Sequence, residues 1–199
     1  MSYYPLLPHP TFDETDYATW EEGFTDEECN TIIRLGESVQ PQDSTVGASK
    51  QDEKHNLLIR KSLNTWLPVN NDTEWIYERL GNISRCLNGM YWRFDISGFS
   101  ESLQYTRYND DKSFYGWHVD NGVKVSEHPQ RKLSITLQLS DENEYEGGEF
   151  QINAGQLNVC PKKKGLVIAF PSYSLHQVTP VTKGIRRSLV VWLCGPPFR

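Results

Sequence analysis

What this chain of 199 residues lacks is the first guide to it. It has no surplus of basic charge: 20 Lys and Arg stand against 26 Asp and Glu, giving a net charge of −6 and a pI near 5.4. Binding a phosphate backbone needs a basic face, so nucleic acid is not an expected partner. No run of about 18 apolar residues occurs, and the opening MSYYPLLPHP has no basic segment followed by an apolar one. Neither a membrane span nor a secretory leader is therefore expected. The four cysteines, Cys29, Cys86, Cys160 and Cys194, are scattered, with no CxxC and no spacing suited to zinc or a redox pair. They read as reduced thiols in a cytoplasmic protein.

Aromatic residues, by contrast, are plentiful at 12% of the chain, which argues for one packed domain over disorder. Residues 1–23 read as an arm, because Pro5, Pro8 and Pro10 suit irregular chain or an edge strand. Residues 24–90 read as a helical cover. Thr25 and Glu28 form the T-x-x-E of a capping box, and Cys29, Ile32, Ile33 and Gly36 recur at helical spacing, predicting a helix over 26–39. The polar stretch 40–55 is a long loop, either a rim to a binding site or a plain connection. A strand containing Arg60 is predicted over 57–63. Asn71 or Asp72 caps a second helix, whose stripe of Ile76, Leu80, Ile83 and Leu87 ends at Gly89.

From residue 91 to the end, β-branched and aromatic runs broken by turn residues predict strands near 91–97, 101–108, 114–120, 131–140, 148–153, 165–170, 173–178 and 186–194. The expected fold is α+β, built on a β-sandwich or barrel, with the jelly roll as the natural candidate. The strand at 131–140 has two unlike faces. Leu133, Ile135, Leu137 and Leu139 suit a core, while Lys132, Ser134, Thr136 and Gln138 either line a cavity or meet solvent.

The chemistry starts at YGWHVDNG, residues 115–122. In extended chain His118 and Asp120, two residues apart, share a face and offer half of a metal site. With 5 His and 11 Asp in the chain, about 0.3 such pairs arise by chance, so the pair needs support. His9 lies in the arm, His55 ends the polar loop and His128 lies in another loop. His176, after the apolar run 166–170, is the histidine placed where a strand re-enters the core. Ten residues on, alternation puts Arg186, Ser188, Val190 and Trp192 on one strand face and Arg187, Leu189, Val191 and Leu193 on the other. An Arg and a Ser on one face of an otherwise apolar strand suit an anion site, since guanidinium grips carboxylate by two parallel hydrogen bonds. Alternatively, Arg186 and Arg187 mark the strand's solvent end.

His118-x-Asp120, a distal His176, Arg186 ten residues later, the segment YNDDKSFYGWHVD, the turn EGGEF at 146–150 and KKGLVIAFPS before the distal His together resemble the iron(II)- and 2-oxoglutarate-dependent dioxygenases. The similarity is closest to the prolyl 4-hydroxylase-like branch with its PKHD-type hydroxylases, and runs over residues 24–193. The resemblance implies a double-stranded β-helix, a form of jelly roll, as a single domain over 1–199, with a jelly-roll core at 91–199 and the N-terminal helices packed on the outside of the major sheet. It implies His118, Asp120 and His176 as ligands of Fe(II), Arg186 as the partner of the far carboxylate of 2-oxoglutarate, and Ser188 and Tyr108 as its further hydrogen-bonding partners. Dioxygen is then the other cosubstrate, with ascorbate in support. Two departures stand out: Gln138 occupies the position of a second cosubstrate-binding tyrosine in some animal relatives, and Arg186 stands where many prolyl hydroxylases use Lys.

The implied reaction is hydroxylation of an unactivated C–H bond of a prolyl or similar residue in a peptide or protein. The loops at 40–55, 109–114 and 121–130 would rim the pocket, with Arg60 as a substrate contact. Three other readings remain: an oxygenase of small molecules, a metal-binding jelly-roll module without catalysis, and a zinc hydrolase using the same three ligands.

Overall fold

A computed structural model describes residues 15–43, 59–121 and 129–198. His9, His55 and His128 lie outside these residues, as do most of the loops read at 40–55 and 121–130.

The described chain runs β1 (Ala18–Trp20), α1 (Asp26–Ser38), β2 (Gln42–Asp43), β3 (Arg60–Lys61), β4 (Leu63–Leu67), α2 (Glu74–Tyr91), β5 (Gly98–Phe99), β6 (Leu103–Tyr108), β7 (Phe114–His118) and β8 (Gln130–Gln138). It continues through β9 (Tyr145–Gly147), β10 (Phe150–Asn153), β11 (Leu157–Val159), β12 (Val167–Pro171), β13 (Leu175–Val178), β14 (Val181–Gly184) and β15 (Arg186–Gly195). The major sheet orders its strands β1-β12-β8-β15-β6-β4-β2, with β5 paired to the far end of β15. The minor sheet is β11-β10-β13-β7-β3, and β14 pairs with β9. The pairings are antiparallel. This is the double-stranded β-helix of an α+β chain, as expected, and no described helix is long and apolar enough to cross a membrane.

Alternation along the two central strands builds the layers. Leu133, Ile135 and Leu137 of β8 and Leu189, Val191 and Leu193 of β15 point to one side, where they form a core with Cys29 and Ile32 of α1 and Ile76, Leu80, Ile83 and Leu87 of α2. The helices thus cover the outside of the major sheet. Burying a large aliphatic side chain contributes about 1.5–3 kcal/mol, so this layer dominates stability. Helix α1 begins with the capping box: Glu28 N–H donates to Thr25 Oγ1 at 3.3 Å, and Thr25 N–H donates to Glu28 Oε2 at 2.9 Å. Its Gly36 packs on the Tyr105 ring of β6, where an added Cβ would fall 2.4 Å from the ring. A second core, with Phe150, Ile152 and Val178 from the minor sheet and Tyr108, Ile168 and Phe170 from the major sheet, joins the two sheets' inner faces.

Four expectations are corrected. The strand over 57–63 is two strands in different sheets, β3 beside β7 and β4 beside β6. No strand forms at 91–97, because α2 runs through Gly89 to Tyr91. There the Asn88 side chain holds the exit, donating to Phe94 O at 2.9 Å and accepting from Phe94 N–H at 3.0 Å. The cap of α2 is Thr73, not Asn71 or Asp72, and its side chain makes no capping bond to the helix. Finally, Asp120 is not on the strand with His118: β7 ends at His118, and Asp120 N–H donates to Ser172 O at 2.8 Å across the turn between β12 and β13.

Candidate active site

Between the two sheets' inner faces opens a cavity of about 290 Å³, lined by His118, Asp120, His176, Arg186, Ser188 and Tyr108 among others. That volume is at the small end for ligand sites. The antiparallel pairing of β13 with β7 sets His176 directly opposite His118. A bulge in the same pairing then brings Tyr115 opposite Val178, so Tyr115 and His118, three residues apart, both face the cavity. Bulges re-aim side chains in this way at the cost of a broken ladder.

The ligand atoms of His118, Asp120 and His176 lie within 4.8 Å of one another. Asp120 reaches both imidazoles, with Oδ1 3.6 Å from His118 Nε2 and Oδ2 3.5 Å from His176 Nε2. Both Nδ1 atoms are held by backbone carbonyls, Gly116 O at 2.8 Å and Ser174 O at 2.9 Å. A carbonyl only accepts, so each Nδ1 carries a proton and each Nε2 is directed inward. Outer hydrogen bonds of this kind orient metal-binding imidazoles. Burial, and then the neighbouring His176 ring, pull the His118 pKa down to about 4, leaving it neutral and able to donate at pH 7. Burial pushes the Asp120 carboxyl up, but the two imidazoles and the Ser134 hydroxyl, which donates to Oδ2 at 2.7 Å, outweigh it and keep the group ionised. Two imidazoles and one carboxylate on one side of a cavity suit iron(II), which leaves open positions on the other side when held this way.

Arg186 lies deeper, 1% exposed. Its Nη1 donates to Ser188 Oγ at 3.3 Å and its Nη2 to Gln138 Oε1 at 3.0 Å, while Nε has no partner among the described residues. Its guanidinium carbon sits 5.3 Å from the Tyr108 ring centroid. Among the described residues no carboxylate pairs with it. A buried cation whose hydrogen-bond partners are neutral and incomplete is costly unless an anion joins it. The glycine turn packs against this group: Gly148, at φ +57, leaves room where a Cβ would come 3.1 Å from Arg186 Cδ.

The structure therefore brings together the six residues singled out in the sequence for metal and cosubstrate, and it sets Arg60, read as a substrate contact, in the same cavity. Sequence reasoning missed the surroundings. Gln138, read as a departure and as part of a face that lines a cavity or meets solvent, holds the Arg186 fork. Ser134 and Ser172, 3.0 Å apart, buttress Asp120. Arg131 pairs with both carboxylate oxygens of Glu101 at 2.7 Å and lies 3.6 Å from the Trp192 ring, at the cavity wall. Alternation along β15 had already placed Trp192 on the Arg186 face, and that signal was sufficient to find it.

Comparison with known proteins agrees with this geometry. Residues 103–194 match the 2OG-Fe(II) oxygenase superfamily. A PKHD-type hydroxylase of Synechococcus sp. (strain CC9902) is 47% identical over 81 residues, which is 40% of this chain and 35% of the relative. The chain thus spans little more than a third of that relative's length. A Pseudomonas putida prolyl-4-hydroxylase superposes with a TM-score of 0.70 at 14% identity, covering 92% of this chain and 94% of its own. A Trichoplax adhaerens prolyl hydroxylase, solved with a hypoxia inducible factor oxygen degradation domain peptide fragment, gives 0.70 at 16% identity over 90% and 83%. At such identities the likeness is one of fold. Residues 103–194 are thus similar to the 2OG-Fe(II) oxygenases, and the donor set in the cavity suits that class. Within it, the chain resembles the PKHD-type hydroxylases in sequence and the prolyl hydroxylases in architecture.

Proposed function

We propose that the protein is an Fe(II)- and 2-oxoglutarate-dependent dioxygenase that hydroxylates an unactivated C–H bond, with a prolyl or similar residue of a peptide or protein as substrate. The observation that carries this is the pairing, in one cavity, of a two-His, one-Asp donor set with a buried arginine that no described carboxylate neutralises. His118, Asp120 and His176 would hold the metal, and Arg186, with Ser188 and Tyr108 beside it, the far carboxylate of 2-oxoglutarate. Bound iron(II) with 2-oxoglutarate supplies the activation of dioxygen, with succinate and carbon dioxide as coproducts. The chain's own part is positional. Arg186 fixes one end of the cosubstrate, the carbonyl-bound imidazoles keep Nε2 directed inward, and the walls of Phe150, Phe170, Val178 and Val190 exclude water.

A peptide substrate is supported by the Trichoplax neighbour, which was solved with one. The four cysteines are free thiols, which fits a reducing, cytoplasmic setting. Zinc hydrolysis is disfavoured, since among the described residues Asp120 is the only carboxylate lining the cavity and none is left to act as general base. The test is succinate release from 2-oxoglutarate by protein supplied with iron(II), ascorbate and candidate peptides. Release by the wild type that disappears in His118→Ala is the expected result; equal release by both overturns the reading.

A further inference from the structure

Three arginines line the cavity, and they differ in how their charge is met. Arg131 is matched by Glu101. Arg186 faces the end of the site assigned above to 2-oxoglutarate. Arg60 is the third: it is 7% exposed, its Nε donates to Ser62 Oγ and its Nη2 to Asn64 Oδ1, both at 2.8 Å, and among the described residues no carboxylate pairs with it. Its guanidinium lies 4.4 Å from the Tyr115 ring centroid, and the His118 imidazole stacks 3.5 Å from the same ring. A ring face covered at 3.5 Å has no room for a second group, so Arg60 occupies the opposite face. The two spacings put its charge within about 8 Å of the His118 ring.

Charge balance turns this into a statement about substrate. With iron(II) and dianionic 2-oxoglutarate in place, the metal and Asp120 sum to one positive charge, and Arg186 brings this to two, which the cosubstrate cancels. Arg131 and Glu101 cancel each other. Among the described residues Arg60 remains as one buried, uncompensated positive charge next to the reacting centre, and such a charge is costly without an anion. The rigid stack on Tyr115 and the bonds to Ser62 and Asn64 aim its fork, which suits the two oxygens of a carboxylate.

Resting on the oxygenase reading of this site, we infer that Arg60 is a specificity residue that receives a carboxylate of the substrate, carried close to the carbon that is hydroxylated. That carboxylate can be the terminal group of a prolyl acid or an acidic side chain next to the target residue, and the test separates the two. The probes are N-acetyl-L-proline against its amide, and N-acetyl-prolyl-glutamate amide against the glutamine counterpart. Binding is measured by saturation-transfer NMR to full-length protein loaded with Zn(II) in place of iron and saturated with 2-oxoglutarate. In the wild type, the acid of at least one pair binds tenfold or more tighter than its neutral partner, and the pair that does so names the source. In Arg60→Gln the preference falls below threefold. Ser62→Asp keeps the arginine and supplies an internal carboxylate at the Nε contact, and it removes the preference too, which guards against a misfolded Arg60 variant. No preference in either pair in the wild type, or a preference that survives Arg60→Gln or Ser62→Asp, overturns the inference. Failure of the underlying reading shows separately, as failure of 2-oxoglutarate to bind the Zn(II)-loaded wild type.

Discussion

The Tyr115 ring lies 3.5 Å from the His118 imidazole, at 16° to it, so a residue three places before a metal-ligand candidate serves as its backing plate. The bulge between β7 and β13 makes this possible, by turning both side chains inward. Stacked ring pairs contribute about 0.5–1.5 kcal/mol beyond burial, which is about a tenfold change in an equilibrium at the upper end. Tyr115→Ala is therefore expected to weaken metal binding by up to about tenfold, whereas Tyr115→Phe keeps it. Titration of the metal-free protein with Co(II), followed by its visible absorption, reads the difference. Equal affinities for the two variants would show that the stack does not orient the ring.

Arg186 offers a sharper test, because its charge is buried and its hydrogen bonds go to neutral groups. Removing one partner of a buried, hydrogen-bonded charge pair costs about 2–5 kcal/mol. Arg186→Gln should thus lower 2-oxoglutarate affinity by about thirtyfold or more, measured by calorimetry on the Zn(II)-loaded protein without oxygen. Arg186→Lys keeps the charge but not the fork that Ser188 and Gln138 hold, and should fall between the two. An Arg186→Gln protein that binds 2-oxoglutarate as the wild type does would remove Arg186 from the site.

Much of this architecture is legible along the sequence where periodicity is long enough to average out accidents. The alternation at 131–139 and 186–193 separates the helix-facing leucines from Thr136, Arg186 and Ser188, which line the cavity, and from Ser134 and Gln138, which bond Asp120 and Arg186 there; the structure keeps that division. Strands of three or four residues, such as β9, β11 and β14, carry too few side chains to show a period. The 57–63 stretch misleads because the chain passes from one sheet to the other at Ser62, so two short strands resemble one longer strand. At 91–97 the aromatic content that suggests a strand has another cause: Tyr91, Trp92 and Phe94 pack on each other at 5.8 and 6.4 Å where α2 ends. Asp120 was placed on the right side of the fold for an incomplete reason, since its orientation depends on Ser172 and Ser134, distant in sequence.

Gly148 ties the glycine turn to the cosubstrate end of the cavity. At φ +57 an L side chain is strained, and a Cβ would stand 2.9 Å from Val181 Cγ2 and 3.1 Å from Arg186 Cδ. Backbone strain of this sort costs about 1–3 kcal/mol. Gly148→Ala should lower the melting temperature by a few degrees and weaken 2-oxoglutarate binding as Arg186 is displaced. Gly155→Ala, also at positive φ but with open space around it, carries the backbone strain without the contact. It should melt earlier with 2-oxoglutarate affinity unchanged. Loss of affinity in both variants would point to general destabilisation.

The thiols give a prediction independent of the active site. Cys86 is exposed on α2, while Cys29, Cys160 and Cys194 are buried. Burial raises the Cys29 thiol to about 11, and it raises Cys160 to about 12 even against the nearby Arg186 charge. The thiolate is the reactive form, so at pH 8 these two are protonated as well as shielded. One thiol per chain, Cys86, should react with Ellman's reagent in native protein, and four in denaturant. Cys86→Ser should abolish the native reaction. Cys160 packs in the core that joins the two sheets, so its reaction reports their separation. If a second thiol reacts as fast as Cys86 in native protein, the sheets open more readily than this packing allows.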